Sequence, residues 1–173
     1  MTIRTTTARY PYCLALLALS FLVDLGLSAE QAHAASGAVQ FAATCAVCHR
    51  ANGAGTPGLA PPLTHYPALF SASNAGRRQL IDTVLYGMFG DITVDERHYN
   101  FKMPGFASLD DAALAAMLNH VIFDLATAPT SAPQSTLHNA PLTAAEVATE
   151  RAQVLDGAAV HKHRAEVVAS LGP

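Results

Sequence analysis

Apolar residues recur with helical spacing in three stretches of this chain. The first runs from Ser36 to about Val47; it predicts a helix capped by Ser36 that buries Val39 and Phe41. The second, from about Ala75 to Phe89, places Leu80, Ile81, Val84, Leu85 and Met88 on one face, with Gly76 and Gly90 at its ends. The third opens on Ser108-Leu109-Asp110-Asp111, where Ser108 is positioned to cap and Asp111 to complete a capping-box-like pair. Beyond it, Leu114, Met117, Leu118, Val121, Ile122 and Leu125 follow i, i+3, i+4, i+7 spacing. Between the last two helices, Asp91-Ile92-Thr93-Val94-Asp95 predicts one short extended piece. The pattern is that of an all-α domain with small helices.

The flanks read differently. Arg4 and Arg9 precede an eleven-residue apolar run, Cys13 to Val23, and an Ala32-His33-Ala34 segment follows. A basic start, a 7–15-residue apolar core and an A-x-A site are the parts of a secretory signal peptide. The run is too short to span a bilayer comfortably, so no membrane span is expected after cleavage. At the other end, Ala128 to Pro141 is rich in Pro, Ser, Thr and Ala and reads as a linker. Two short amphipathic helices are expected beyond it, the first opened by a Thr143/Glu146 capping box. His161 and His163 diverge on such a helix and read as a solvated face. The expected organisation is an export signal over 1–34, a principal domain over 35–127, a linker over 128–141 and a helical tail over 142–173.

A formal net charge of -3 with no Lys/Arg run excludes a nucleic-acid footprint. Lysine is confined to Lys102 and Lys162, so a lysine ring steering toward acidic partners is not expected.

Export normally turns two cysteines into a disulfide. Here Cys45-Ala46-Val47-Cys48 is followed at once by His49. C-x-x-C-H is the attachment signal of a c-type haem: two thiols on one face of a helical turn add to the haem vinyl groups, and the adjacent histidine reaches the iron. A thioredoxin-like pair would need a preceding strand, where this sequence has a helix pattern. A zinc site would need further ligands, and there is no second Cys pair. One covalently attached haem c is the expected cofactor. It also supplies interior that some 90 residues of small helices lack.

A second axial ligand would suit the iron to electron transfer. Met103 lies in a loop, Tyr99-Asn100-Phe101-Lys102-Met103-Pro104, which Pro104 keeps from continuing as a helix. Met88 and Met117 sit in periodic stretches and read as core, while His65 and His98 are rival ligands without a comparable loop. Asn52 to Leu63 holds three glycines and three prolines, a tight loop able to pass close to a planar cofactor.

In this order, helix, Cys45-Ala46-Val47-Cys48-His49, Gly/Pro loop with Pro61-Pro62-Leu63, helix, Met103-Pro104 and C-terminal helix resemble class I cytochromes c over about Ser36 to Thr127. The resemblance implies the class I cytochrome c fold. It makes His49 the proximal and Met103 the distal iron ligand, Pro61 the acceptor for the His49 N–H, and Leu63 a residue packed on the ring. The run from Val84 to Pro104 looks like a subset that serves periplasmic alcohol or aldehyde dehydrogenases. The implied function is periplasmic transfer of single electrons between a dehydrogenase and a respiratory acceptor such as a terminal oxidase or another cytochrome, without catalysis of its own. The alternative is a haem enzyme or sensor with an open sixth position. Three positions depart from the family pattern. His120 replaces an aromatic expected near Phe41, with Phe123 as its candidate substitute; Arg50 replaces a glycine after the haem histidine, and Phe101 one before the Met loop.

Overall fold

The computed structural model describes residues 36–127 and 140–171. Helix α1 (36–44) runs into α2 (Ala46–His49), and α3 (Tyr66–Ser71) precedes the long α4 (Asn74–Tyr86). A two-stranded antiparallel hairpin, β1 (Ile92–Val94) and β2 (Arg97–Tyr99), pairs Ile92 with Tyr99 and Val94 with Arg97. Helix α5 (Asp111–Asn119) ends in a π-helical turn over His120–Asp124, and α6 (Ala144–Arg151) and α7 (Gly157–Ser170) complete the chain. The expected all-α architecture is present, with the hairpin its only described sheet.

The core gathers Phe41 of α1, Phe70 of α3, Ile81 and Leu85 of α4, and Leu114, Met117 and Leu118 of α5. Helices α1 and α5 touch backbone to backbone at Gly37: a Cβ there would collide with the Ala116 carbonyl. Phe41 packs beside His120, ring centroids 5.5 Å apart, so the histidine keeps the contact expected of an aromatic. The His120 ring is fixed from behind by Asp124, 2.7 Å from its Nδ1. Phe123 is 44% exposed and does not substitute for it.

Several sequence expectations are corrected. Val39 is 70% exposed, because only one edge of α1 faces the core. Helix α5 is capped by Asp110, whose carboxylate accepts the Ala113 N–H, and not by Ser108. Helix α4 is capped by Ser73, accepting from Gly76, and ends at Tyr86; Gly87 (φ 74°) breaks it before the apolar pattern runs out. Helix α3 is an addition to the expected elements; its Pro67 sits in the first helical turn, where the missing N–H has no partner to lose.

The tail packs on α4 and α5. Arg77 is buried and forks onto both Glu146 oxygens (2.8 and 3.0 Å) and the Ala140 and Pro141 carbonyls. Asn119 brackets the Leu142 backbone, accepting its N–H at 2.7 Å and donating to its carbonyl at 3.0 Å. Arg151 reaches Asp111 and the Ala107 and Leu109 carbonyls that lead into α5. The Thr143/Glu146 capping box forms as expected, with Glu146 doubling as the Arg77 partner. Although burial raises the Glu146 carboxyl, the Arg77 and Thr143 hydrogen bonds outweigh it and hold the group below its usual range. Helix α7 is longer than the short element expected and lies on α4. His161 is half-buried and bonds the Asp91 carbonyl at 2.8 Å instead of facing solvent. The expected export signal and most of the linker lie outside the described residues.

The α1–α5 crossing yields a stability prediction. Gly37→Ala forces the two helices apart and is expected to cost about 1–3 kcal/mol, as overpacking typically does. Denaturant unfolding of the two proteins measures it.

Candidate functional site

The two thiols and the imidazole come from one continuous helical turn. The Cys45 N–H bonds the Phe41 carbonyl at the end of α1, and the His49 N–H bonds the Cys45 carbonyl at 2.9 Å. Cys45 and Cys48 are both free and both line a large apolar cleft, as does His49. Cys45 is buried against Met117, its Sγ 3.5 Å from the thioether sulfur. Burial is the main cause that pushes the Cys45 thiol up; the Thr44 hydroxyl opposes it and Cys48 adds to it. A thiol held protonated is a poor attacking nucleophile, which argues against disulfide exchange.

His49 is 7% exposed. Its Nδ1–H donates to the Pro61 carbonyl at 2.9 Å, which directs Nε2 as the ring's free nitrogen. Desolvation lowers its pKa, with the Pro61 hydrogen bond opposing. A neutral imidazole with one nitrogen anchored is the form that ligates a metal.

The Gly/Pro loop puts Pro61 in place. The Gly55 N–H bonds the His49 carbonyl at 3.0 Å, and the Thr56 hydroxyl bonds the Cys48 carbonyl at 2.9 Å. Thr56 also pairs with Ala60 in a small antiparallel bridge. Gly55 (φ 73°) is needed for the close approach: a Cβ there would stand 2.6 Å from the Ala60 carbonyl oxygen and 2.7 Å from the Pro61 backbone. Leu63 is half-buried on the cleft wall, and its N–H returns to the Gly53 carbonyl at 2.7 Å.

Met103 reaches the cleft from the other half of the chain. It forms a two-hydrogen-bond bridge with Met88 (3.1 and 2.9 Å), and the Phe106 N–H bonds the Val84 carbonyl at 2.7 Å. Gly87 admits this strap, since a Cβ there would strike the Met103 carbonyl. Met88 is thus not core within a helix: it lies past the end of α4 and lines the same cleft as Met103. Met117 is core as expected, 1% exposed. His65 and His98 do not line the cleft; His65 stacks edge-on to Tyr66, and His98 is exposed beside Asp91.

The cleft walls are otherwise mostly apolar, drawn from α3, α4, the hairpin and α5, and the exposed Val47 and Phe101 also line it. Phe101 needs no glycine-like backbone: only Arg50, Asp95 and Glu96 among described non-glycine residues have positive φ. Two polar residues went unnoticed in the sequence. Gln79 is buried at the wall, bonding Thr83 and the Val160 carbonyl through Nε2, while its Oε1 has no partner. Arg164 of α7 also lines the cleft, its pKa lowered chiefly by burial. The signal for Arg164 was its position: Val160, Arg164 and Val167 are spaced i, i+4, i+7, and both valines are buried.

Two free thiols, an anchored imidazole and a thioether on one apolar cleft fit a covalently attached haem, and the fold is that of the class I c-type cytochromes. The cytochrome c family model matches residues 34–121, and the chain belongs to that family. It is 43% identical over 103 residues to a cytochrome c-552 of Thermus thermophilus, a match covering 60% of this chain and 67% of that protein. A second cytochrome c-552 of Thermus thermophilus is 47% identical over 79 residues, covering 46% of this chain and 60% of the relative. Family membership carries with it a covalently bound haem c and the role of electron carrier.

Arg50 shows why a glycine is usual after the haem histidine. It caps α2 at φ 62°, ψ 158°, a region that is nearly glycine-only and costs a side chain of order 1–3 kcal/mol. Arg50→Gly removes that strain and adds about 0.5–1 kcal/mol of unfolded-chain entropy. The net expectation is a more stable holoprotein, read as a rise in Tm.

Proposed function

We propose that Cys45 and Cys48 carry the haem, that His49 and Met103 are its axial ligands, and that the protein passes single electrons between a periplasmic dehydrogenase and a respiratory acceptor. The observation that carries the ligand assignment is the His49 Nδ1–Pro61 hydrogen bond, which aims the other ring nitrogen at a cleft that Met103 also lines. When bound, the haem supplies a one-electron ferric/ferrous couple, and thioether ligation biases its potential upward.

The chain's own residues do the rest. Cys45 and Cys48 fix the macrocycle covalently, and the Pro61 carbonyl holds the His49 ring orientation and raises its basicity. The Met88 bridge holds the Met103 backbone in place. Apolar walls exclude water and keep reorganisation small. Arg164 offers a cation for the haem's carboxylate substituents, and the exposed Val47 and Phe101 offer apolar surface to a partner. The basic, apolar start of the sequence supports export, with the mature protein beginning near Ala35.

Replacing Met103 and Met88 separately tests the ligand choice, because both line the cleft. Met103→Ala should lose the oxidised protein's far-red methionine–iron charge-transfer band and bind CO when reduced. Met88→Ala should keep the band. The reverse result moves the ligand to Met88, and CO binding by the unaltered reduced protein favours a haem enzyme or sensor. Haem-free protein, made without haem attachment, should show little fixed tertiary structure by near-UV circular dichroism, since the cleft lies at the centre of a small core.

A further inference from the structure

Between α4 and α6, away from the haem cleft, two carboxyl groups are buried together. Asp82 on α4 is fully inaccessible, and neither of its oxygens has a hydrogen-bond partner. Glu150, near the end of α6, is 7% exposed. Its Oε1 accepts from Arg78 Nε at 3.2 Å, while its Oε2 is buried without a partner. Arg78 and Tyr86, one turn before and one turn after Asp82 on α4, both bond Glu150, so Asp82 lies on the face of α4 that meets α6, and three buried oxygens there have no partner. Two anions so placed would repel in a low-dielectric interface and leave every one of these oxygens unsatisfied.

One proton changes this. A carboxylic acid at Asp82 carries no charge to desolvate, and its O–H brings a donor to a place whose buried oxygens otherwise only accept. We propose that Asp82 and Glu150 hold a single proton between them across the α4–α6 interface, and that its release loosens α6, and the tail with it, from the haem domain.

The surrounding charges support the pairing. Burial first, and the Glu150 charge second, push the Asp82 carboxyl up to about 7, and Arg78 alone pulls the other way. Arg78 is a weak opponent because its side chain is 62% exposed. The other groups facing the pair are committed elsewhere. Arg77 is engaged by Glu146, Arg151 by Asp111 and two carbonyls, and the Tyr86 hydroxyl lies against the Glu150 and Gln153 carbonyls. On α7, His161 bonds the Asp91 carbonyl, Lys162 is exposed, His163 is half-buried, and Arg164 lines the haem cleft. The pair is linked to the cleft through α4 and α7: Gln79, one turn before Asp82, lines the cleft and bonds the Val160 carbonyl of α7, and Arg164 of α7 lines the cleft as well. Loosening the tail would therefore open that edge of the haem site.

A carboxyl whose folded pKa is raised stabilises below its unfolded value near 4, and that contribution is lost as pH rises through about 7. Hydrogen–deuterium exchange on the full-length holoprotein, corrected for intrinsic exchange, measures the opening of α6 from pH 5 to 9. The opening constant should rise by up to about tenfold per pH unit below neutrality and level off above it, the most that one linked proton allows. Asp82→Asn, which is neutral and retains a donor, should flatten the profile without altering the haem spectrum, whereas Glu150→Gln should move its midpoint to lower pH, because the Glu150 charge is gone while the burial of Asp82 persists. In the unaltered protein at pH 6, infrared spectroscopy should show a buried carboxylic-acid C=O stretch that vanishes above pH 8. A flat wild-type profile, an unchanged slope in Asp82→Asn, or no acid stretch at pH 6 would overturn the proposal. A missing haem band with the α6 profile intact would instead count against the haem assignment.

Discussion

The hydrogen bond from His49 Nδ1 to the Pro61 carbonyl is the contact around which the cleft is organised. It ties the helical turn that carries both thiols to a loop with no regular structure of its own. For that loop to reach the imidazole, the chain must reverse tightly and bring its backbone against the Ala60–Pro61 segment. Gly55 allows the approach, and the Thr56–Ala60 bridge and the Thr56–Cys48 bond hold it. Burial that would leave a charged imidazole unstable favours the neutral ring, so position and protonation are set by the same surroundings.

A comparable arrangement operates on the methionine side. Gly87 ends α4 and lets the Met103 backbone lie close, so that two backbone hydrogen bonds fix the loop relative to the helix. Both halves of the site thus depend on glycines where backbones nearly touch. Side-chain packing then supplies the apolar wall. Arg50 is the exception to this pattern, keeping a side chain in a conformation better suited to glycine.

The tail is joined to this domain by polar fastenings as well as by an apolar seam, in which Leu142, Val147 and Val167 join the main core. Arg77 and Arg151 each combine a carboxylate with backbone carbonyls, which satisfies acceptors in segments that lack helical partners. Val147 and Val160 anchor the two helices among these bonds, and both are fully buried. Into this interface the sequence also places Asp82 and Glu150, where aliphatic residues would pack without penalty. A carboxyl pair in such a place makes tail docking sensitive to protons.

The helical class, the attachment motif and the methionine loop were legible in the sequence, because each rests on local spacing or on a short motif with its own chemistry, while the place of Pro61 was implied by the resemblance to class I cytochromes c; α3 and the second strand of the hairpin were not read. The Thr143/Glu146 capping box was legible as a short motif too. Where neighbouring choices compete locally, as between Ser108 and Asp110 or along the run into Gly87, the pattern misplaced the boundary. Long-range contacts decided the remainder. Val39 and Phe41 have similar hydrophobicity, yet only the partner helix determines which one is buried. Met88 reads as core until the end of α4 and the bridge to Met103 turn it toward the cleft. Arg164, Gln79 and the Asp82–Glu150 pair look like ordinary surface residues in sequence; only the packing of α6 and α7 against α4 removes them from water, and that is a property of the tertiary structure alone.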